Sequence, residues 1–230
     1  MKNSLNLVDF HSHILPRADH GSDSVKTSSF QLEKALLSGV RRIIATPHFY
    51  PTGHTIESFL ERRNSGYRQI ETLFPDIKIR LGAEVLICNG IENLPGLDKL
   101  FINGTRTLLL ELPFSDFQTE YCDSVYNLTK NGAEIILAHA DRYSPENIEK
   151  LIECGAKLQL NADSLSGVFK KSHLYDWMER KLVVALGSDI HGEDKRAYKN
   201  FSSVISKLPS EYIGFIMGES DRIFERAKDI

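Results

Sequence analysis

The sequence predicts an α/β fold whose parallel strands approach a barrel, and three observations carry that reading. Seven short β-like runs recur along the 230 residues with helix-patterned segments between them, as in strand–helix–strand units. No Pro/Gly/Ser-rich linker, internal repeat or low-complexity tract divides the chain, so residues 1–230 read as one domain. Six of the seven runs deliver a His, Asp or Glu at or just past their carboxyl ends, where barrel enzymes carry their working residues.

The elements follow in order. Leu5–Phe10 is the first run and leads through Asp9 into His11-Ser-His13. A helix over Val25–Ser38 places Phe30, Leu32, Ala35 and Leu36 on one face. Ser22 or Asp23 can cap its start, and Gly39 stands where a left-handed terminal residue belongs. Arg42–Thr46 is the second run and ends in Thr46-Pro-His48. Ile56, Phe59, Leu60, Arg63, Tyr67 and Ile70 then recur at helical intervals over Ile56–Phe74, with Pro75 as the stop. The remaining runs are Ile77–Ala83, Thr107–Leu112, Glu134–Ala138, Lys157–Asn161 and Leu182–Gly187. Their ends carry Glu84, Glu111, His139, Asn161, and Asp189 with His191. Helices are expected over Phe117–Lys130, Pro145–Cys154, Leu165–Arg180 and Ala197–Lys207, with a short pair over Ser210–Met217 and Ser220–Lys228.

Composition excludes several classes. The chain is 41% hydrophobic and 26% charged, enough apolar material for a real core. A net charge of −3 leaves no basic field for a nucleic acid backbone. The longest purely apolar run, Leu182–Leu186, falls far short of the roughly 18 residues that a membrane span needs. Asp9 and His11 arrive before any signal-peptide core can form, and the odd, widely spaced Cys88, Cys122 and Cys154 suit reduced thiols, so a cytoplasmic protein is expected. Cys122 has no adjacent base and no Cys-x5-Arg loop, which argues against cysteine-based phosphatase chemistry.

The strand-end residues form a metal-ligand set. On an extended segment His11 and His13 point the same way, suited to one ion, and Asp189 and His191 repeat that spacing. Glu84 and Glu111 add carboxylates that can bridge two cations, while His48 and His139 each follow a β-like run. Mixed imidazole and carboxylate donors suit Mn²⁺, Fe²⁺ or Zn²⁺ better than Ca²⁺ or Mg²⁺. Such ions lower the pKa of a bound water from 15.7 toward ~7 and clamp the oxygens of a phosphoryl or acyl transfer. Arg142 has the planar fork that fits phosphate oxygens; its alternative is a salt bridge to Asp141 or Glu146. His54 and His173 lie off the strand ends and read as structural. The Phe49–His54 loop reads equally as a substrate entrance or an ordinary loop, and Arg62 and Arg63 read as a solvated helix face rather than a peptide-binding one.

These stretches resemble the PHP (polymerase and histidinol phosphatase) superfamily, and more narrowly the bacterial tyrosine phosphatases encoded with capsular and exopolysaccharide genes. Asp9–Pro16, Ala45–His48, Gly82–Val85, Glu111–Pro113, His139–Tyr143 and Gly187–His191 carry the likeness, in the family's order. The resemblance implies a distorted (β/α)7 TIM-like barrel that holds three divalent ions, most often Mn²⁺. It implies that His11, His13, Glu84 and Asp189 hold the first ion. Glu84 would bridge to a second held by Glu111 and His139, and His48, His191 and His20 would take the third. The family usually has two aspartates before Gly21, where this chain has Asp19-His20, so Asp19 is the alternative ligand or orients His20. With His20 as the ligand, three carboxylates face three divalent ions, a formal +3, against +2 with an aspartate there.

The implied activity is hydrolysis of phosphotyrosine in proteins by a metal-bridging hydroxide, with Arg142 on the phosphate. The tyrosine-rich tail of a bacterial tyrosine kinase is the implied partner. A small-molecule phosphoesterase of the same superfamily, such as a histidinol-phosphate phosphatase, is the enzymatic alternative. An amidohydrolase would normally place a lysine at a strand end, and none stands there. A metal-stabilised scaffold that regulates a kinase by binding alone is the non-enzymatic alternative.

Overall fold

The computed structural model describes residues 7–114, 117–166 and 172–228. β1 (Leu7–Ser12) opens the fold and leads to α1 (Val25–Leu37). Ser24, rather than Ser22 or Asp23, caps α1: its hydroxyl accepts the Thr27 N–H at 3.2 Å, an interaction worth about 1 kcal/mol. Gly39 closes the helix at φ +83°, as expected. Next come β2 (Val40–Ala45), the two-residue β3 (His48–Phe49) and α2 (Ile56–Arg68). α2 ends short of the expected Phe74 because Gln69 and Ile70 turn their amides to the carbonyls three residues back, tightening the last turn.

β4 (Lys78–Leu81) lies within the expected run Ile77–Ala83, and β5 (Glu84–Leu86) carries the same strand on past its expected end. Only Gly82 and Ala83 separate them, and the ladder crosses the gap. The Gly82 N–H donates to Ala45 O at 2.9 Å and the Glu84 N–H to Pro47 O at 3.1 Å. β2 and β3 break opposite, at Thr46-Pro47, where proline has no amide to donate. Each pair is therefore one kinked strand, and nine segments among the described residues amount to the seven strands expected from sequence. The chain continues with β6 (Thr107–Glu111), α3 (Glu120–Lys130), β7 (Glu134–Leu137), α4 (Pro145–Glu153) and β8 (Lys157–Asn161). α5 (Ala162–Ser166) and α6 (Ser172–Glu179) stand where one helix over Leu165–Arg180 was expected, and residues 167–171 of that expectation lie outside the described residues. β9 (Val183–Gly187), α7 (Ala197–Lys207) and α8 (Ser210–Arg226) complete the fold.

All strand pairs are parallel, in two sheets of order β1-β2-β4 and β3-β5-β6-β7-β8-β9. The kinked strands join the sheets on one side. On the other, β9 lies beside β1, and the Asp189 N–H donates to His11 O at 2.9 Å. The result is a parallel α/β barrel of the TIM-like kind, with helices outside.

The expected C-terminal helix pair is one continuous helix. α8 runs through Gly218 because its apolar side has a long surface to cover. Ile223 and Phe224 pack with Val8, Phe10, Ile44, Leu109, Ile136 and Val184 of the strands. Arg42 near the start of β2 pairs with Asp221 and Glu225, and Arg222 pairs with Glu134 at the start of β7. Lys228 N–H reaches Asn103 O at 2.8 Å. α8 therefore lies across the amino-terminal ends of the strands and floors the barrel, leaving the carboxyl ends as its open mouth.

Arg63 departs from the solvated-face expectation. It is 4% exposed, and its guanidinium donates to Gly82 O at 3.1 Å and to Asn103 Oδ1 at 3.4 Å, fastening α2 to the β4–β5 kink. Burial away from any opposing carboxylate in these bonds pulls its pKa down to about 10.

Candidate metal centre

The mouth gathers imidazoles and carboxylates from almost every strand end. His11 Nε2 lies 3.0 Å from His13 Nε2 and 3.1 Å from Glu84 Oε2. His13 Nε2 lies 3.2 Å from Glu84 Oε2 and 3.3 Å from Asp189 Oδ1, and His11 Nε2 is 3.7 Å from Asp189 Oδ1. Atoms bound at about 2.0–2.2 Å to one ion sit about 3.0–3.5 Å from one another, so this foursome has the spacing of a ligand shell. Beside it, His139 Nε2 is 2.8 Å from Glu84 Oε1 and 3.6 Å from Glu111 Oε1. His48 Nδ1 is 2.9 Å from Glu84 Oε2 and 3.6 Å from Glu111 Oε2. Glu84 is thus common to both groups. His48, His13 and His191 form a third group with ligand atoms within 4.8 Å.

The bonding directions fit cations better than they fit one another. His48 Nδ1 and Glu84 Oε2 are buried and without a hydrogen-bond partner despite their 2.9 Å separation. Buried polar atoms are almost always paired, so two unpaired atoms converging on shared space mark a place for an ion.

The far nitrogens of His11 and His13 are fixed as donors. Gln159 Oε1 accepts the His139 backbone N–H at 2.7 Å, which orients the amide, and it also accepts His11 Nδ1–H at 3.0 Å. Gln159 Nε2 donates to Asn161 Oδ1 at 2.9 Å, and Asn161 Nδ2 donates to Asp189 Oδ2 at 3.0 Å. Asp19 Oδ2 accepts His13 Nδ1–H at 2.7 Å. Each Nε2 is thereby turned into the mouth with its lone pair free, the tautomer that metal ligation requires.

Two of the candidate ligands rest on unusual backbone. His139 (φ +32°) and Asp189 (φ +49°) both stand two residues past a strand end in the left-handed region that side chains disfavour. Gly187 has a different reason to be glycine: a Cβ there would lie 2.6 Å from His11 Cβ and 2.7 Å from Gln159 Nε2.

Charge in the mouth is strongly coupled. Burial opposes ionisation of Glu84 and Asp189, yet the imidazoles, His11 foremost, hold both well below the usual carboxylate range. Burial lowers the pKa of His13, but Asp189, Asp19 and Glu84 outweigh it and hold the imidazolium well above the ordinary value. For His139, Glu111 and Glu84 likewise outweigh burial and raise the pKa to about 9. His191 goes the other way, to about 4, through burial and the neighbouring His13.

Asp19 and His20 have distinct settings. Besides His13, the Asp19 carboxylate accepts the Gly21 N–H at 2.8 Å and the His48 N–H at 2.9 Å, so it already ties three segments together. His13 and these amides hold its pKa far below the usual range despite burial. His20 is exposed; its ring stacks on His48 at 4.8 Å and 9° and lies 4.8 Å from His191. None of the three closely spaced groups includes it. Tyr50, from the loop after His48, stacks on the same imidazole at 5.3 Å. His54 Nδ1 accepts the Tyr50 N–H at 3.3 Å, and His173 packs edge-on against Trp177.

Arg142 pairs with Asp189 Oδ2 at 2.6 Å, not with Asp141 or Glu146, and its side chain is 39% exposed. It lines a polar cavity of about 290 Å³ together with Asp189, Ser188 and Asn161, and Arg196 stands in the same wall. Sequence reasoning missed Arg196, Gln159 and the buried Asp9, which accepts the Ser188 N–H (2.8 Å), the Ser188 hydroxyl (2.6 Å) and the Tyr198 hydroxyl (2.8 Å). A signal existed for Gln159: with Asn161 it forms a pair of polar residues alternating with the buried Leu158 and Leu160.

Similarity to known proteins agrees with this picture. The family described as "Capsular polysaccharide synthesis, CpsB/CapC" matches residues 7–217. The tyrosine-protein phosphatase YwqE of Bacillus subtilis is 29% identical over 238 residues, covering 97% of this chain and 93% of that protein. The tyrosine-protein phosphatase CpsB of Streptococcus pneumoniae is 28% identical over 210 residues, covering 83% and 85%. A solved structure from the study of these two metal-dependent tyrosine phosphatases superposes with a TM-score of 0.79 at 23% identity, over 97% of this chain and 96% of that one.

Proposed function

The chain belongs to the CpsB/CapC family of capsular polysaccharide synthesis, and from that membership and the built metal centre we infer that it is a metal-dependent protein-tyrosine phosphatase. The observation that carries the reading is the foursome of His11, His13, Glu84 and Asp189, whose donor atoms are spaced and oriented for a shared cation.

We assign His11, His13, Glu84 and Asp189 to a first ion, Glu84, Glu111 and His139 to a second, and His48, His191 and His20 to a third. Mn²⁺ suits this mixed donor set. Bound divalent ions supply an ionised water at neutral pH and charge to offset the phosphoryl oxygens. The chain's own residues do the rest. Gln159 and Asp19 keep His11 and His13 in the ligating tautomer. Arg142, partly exposed at the edge of the mouth, offers its fork to non-bridging phosphate oxygens and holds Asp189 with its other face. The phenolate is a fair leaving group, so its departure needs no dedicated side-chain acid. The substrate assigned is a phosphotyrosine protein, specifically the tyrosine-rich tail of a bacterial tyrosine kinase that controls capsule or exopolysaccharide synthesis.

Hydrolysis of p-nitrophenyl phosphate by the purified protein tests the reading, with metal content measured in parallel. Turnover should vanish on chelation and return with manganese. Turnover that survives complete removal of metal, or none with manganese bound, would sink it.

A further inference from the structure

Arg142 stands between two cavities. On one side is the polar cavity that it shares with Asp189. On the other is a cavity of about 210 Å³ walled by Pro113, Phe114, Phe117, Tyr121 and Tyr143. Resting on the phosphatase reading above, we propose that this second cavity is the aryl subsite: it takes the phenyl ring of the substrate while Arg142 faces the phosphate.

Three observations support it. The walls grow directly from the metal centre, since Leu112 and Pro113 follow Glu111, and Tyr143 follows Arg142 with its ring 5.6 Å from that of His139. The lining is aromatic and preset. Phe117 meets Tyr121 edge to face at 5.9 Å, and the Tyr143 hydroxyl donates to Leu112 O at 2.7 Å, which locks the two loops together and leaves the ring as an apolar face. Phe114 is 77% exposed, with its ring 6.1 Å from Tyr143, a large apolar side chain left without cover at the rim. Offset or edge-on aromatic pairs form at centroid separations of 4.5–7 Å, so a third ring placed beside Phe114 and Tyr143 completes a cluster. At about 210 Å³ the space suits one ring rather than a larger ligand, below the usual range for drug-sized sites.

The consequence is discrimination by leaving group: aryl phosphates are held, and alkyl phosphates such as phosphoserine find no partner for the cavity. The test uses the manganese-loaded protein with two readouts. The first is binding of phenylphosphonate against methylphosphonate by calorimetric titration; the second is kcat/KM for phenyl phosphate against ethyl phosphate. The wild type should bind the phenyl compound about tenfold or more tightly than the methyl one, the scale of one buried aromatic contact set. Phe114→Ala should shrink both ratios severalfold and Phe114→Tyr should keep them, while Tyr126→Ala, at an exposed aromatic on α3 away from the cavity, should not move them. Equal binding of the two phosphonates by the wild type, or ratios insensitive to Phe114→Ala, would overturn the subsite. A phenyl preference in binding without hydrolysis of either ester would leave the subsite standing and overturn the phosphatase reading.

Discussion

His11 Nε2 and His13 Nε2 face each other at 3.0 Å with both opposite nitrogens already committed as donors, to Gln159 Oε1 and Asp19 Oδ2. Two neutral imidazoles in these tautomers would confront lone pair with lone pair. Only a cation between them relieves that contact, and in the metal-free protein the cation is a proton, consistent with the raised pKa of His13. The metal centre is thus prepared by bonds made behind it.

Gln159→Leu should therefore weaken metal binding although Gln159 touches no ion. Losing the partner that fixes a ligating imidazole typically lowers metal affinity by about 10–100-fold. Competition with a chelating indicator measures it; an unchanged affinity would mean that His11 needs no orienting partner.

Asp19 and His20 should separate by stability. Asp19→Ala strands the His48 and Gly21 amides and the His13 donor, and each buried unsatisfied group costs about 1–3 kcal/mol, so the melting temperature and metal content should fall together. His20→Ala should leave melting unchanged, since the side chain is exposed, yet reduce turnover if it holds the third ion, and His20→Asp should retain turnover. Full activity in His20→Ala would remove it from the ligand set.

Arg142→Ala should lower kcat by about 10²–10³-fold, the usual loss for one preorganised donor to a transition-state oxygen. Metal should remain, because Asn161 still holds Asp189 Oδ2 at 3.0 Å. Arg142→Lys should recover only part, as it keeps charge and loses the fork. A rise in KM with kcat intact would make Arg142 a docking residue.

The metal-free protein should lose stability as pH rises. His139 ordinarily titrates near 6.5 and is raised to about 9 in the fold by Glu111 and Glu84, against burial. Its contribution is complete below 6.5, where both folded and unfolded forms carry the proton, and is lost as pH climbs through about 9. A divalent ion held by His139 would take the proton's place, so protein loaded with manganese should show a flatter profile over that window in thermal melts. Parallel profiles with and without metal would contradict this.

Much of this was legible in the sequence. The strand ends announced themselves because short apolar runs stop at His, Glu or Asp, and the helix over Ala197–Lys207 has the bounds expected. What was not legible depended on partners distant in sequence. Nothing local marks Arg63 as buried; Gly82 O and Asn103 make it so. The C-terminal segment has two glycines, Gly214 and Gly218, and Ser220 just past the second, which invite a break near Gly218, and only the floor of the barrel, formed by strands synthesised much earlier, keeps it helical. Arg142 chose Asp189 over its neighbours Asp141 and Glu146 because the strand order brings β7 and β9 ends to one mouth.

The seam between β1 and β9 sets when the protein can mature. Asp9 and Ser188 meet across 179 positions of sequence, and His11 with Asp189 lies beside them. On a ribosome the first strand gains β2 early but must wait for nearly the whole chain before β9, its second neighbour, exists, a very non-local contact of the kind that slows folding. An ion shared by His11, His13 and Asp189 would then act as a staple across a loop of about 180 residues, where closing entropy is large. Metal supply would thereby govern how much of the newly made polypeptide reaches its closed form, as well as how fast the finished enzyme works.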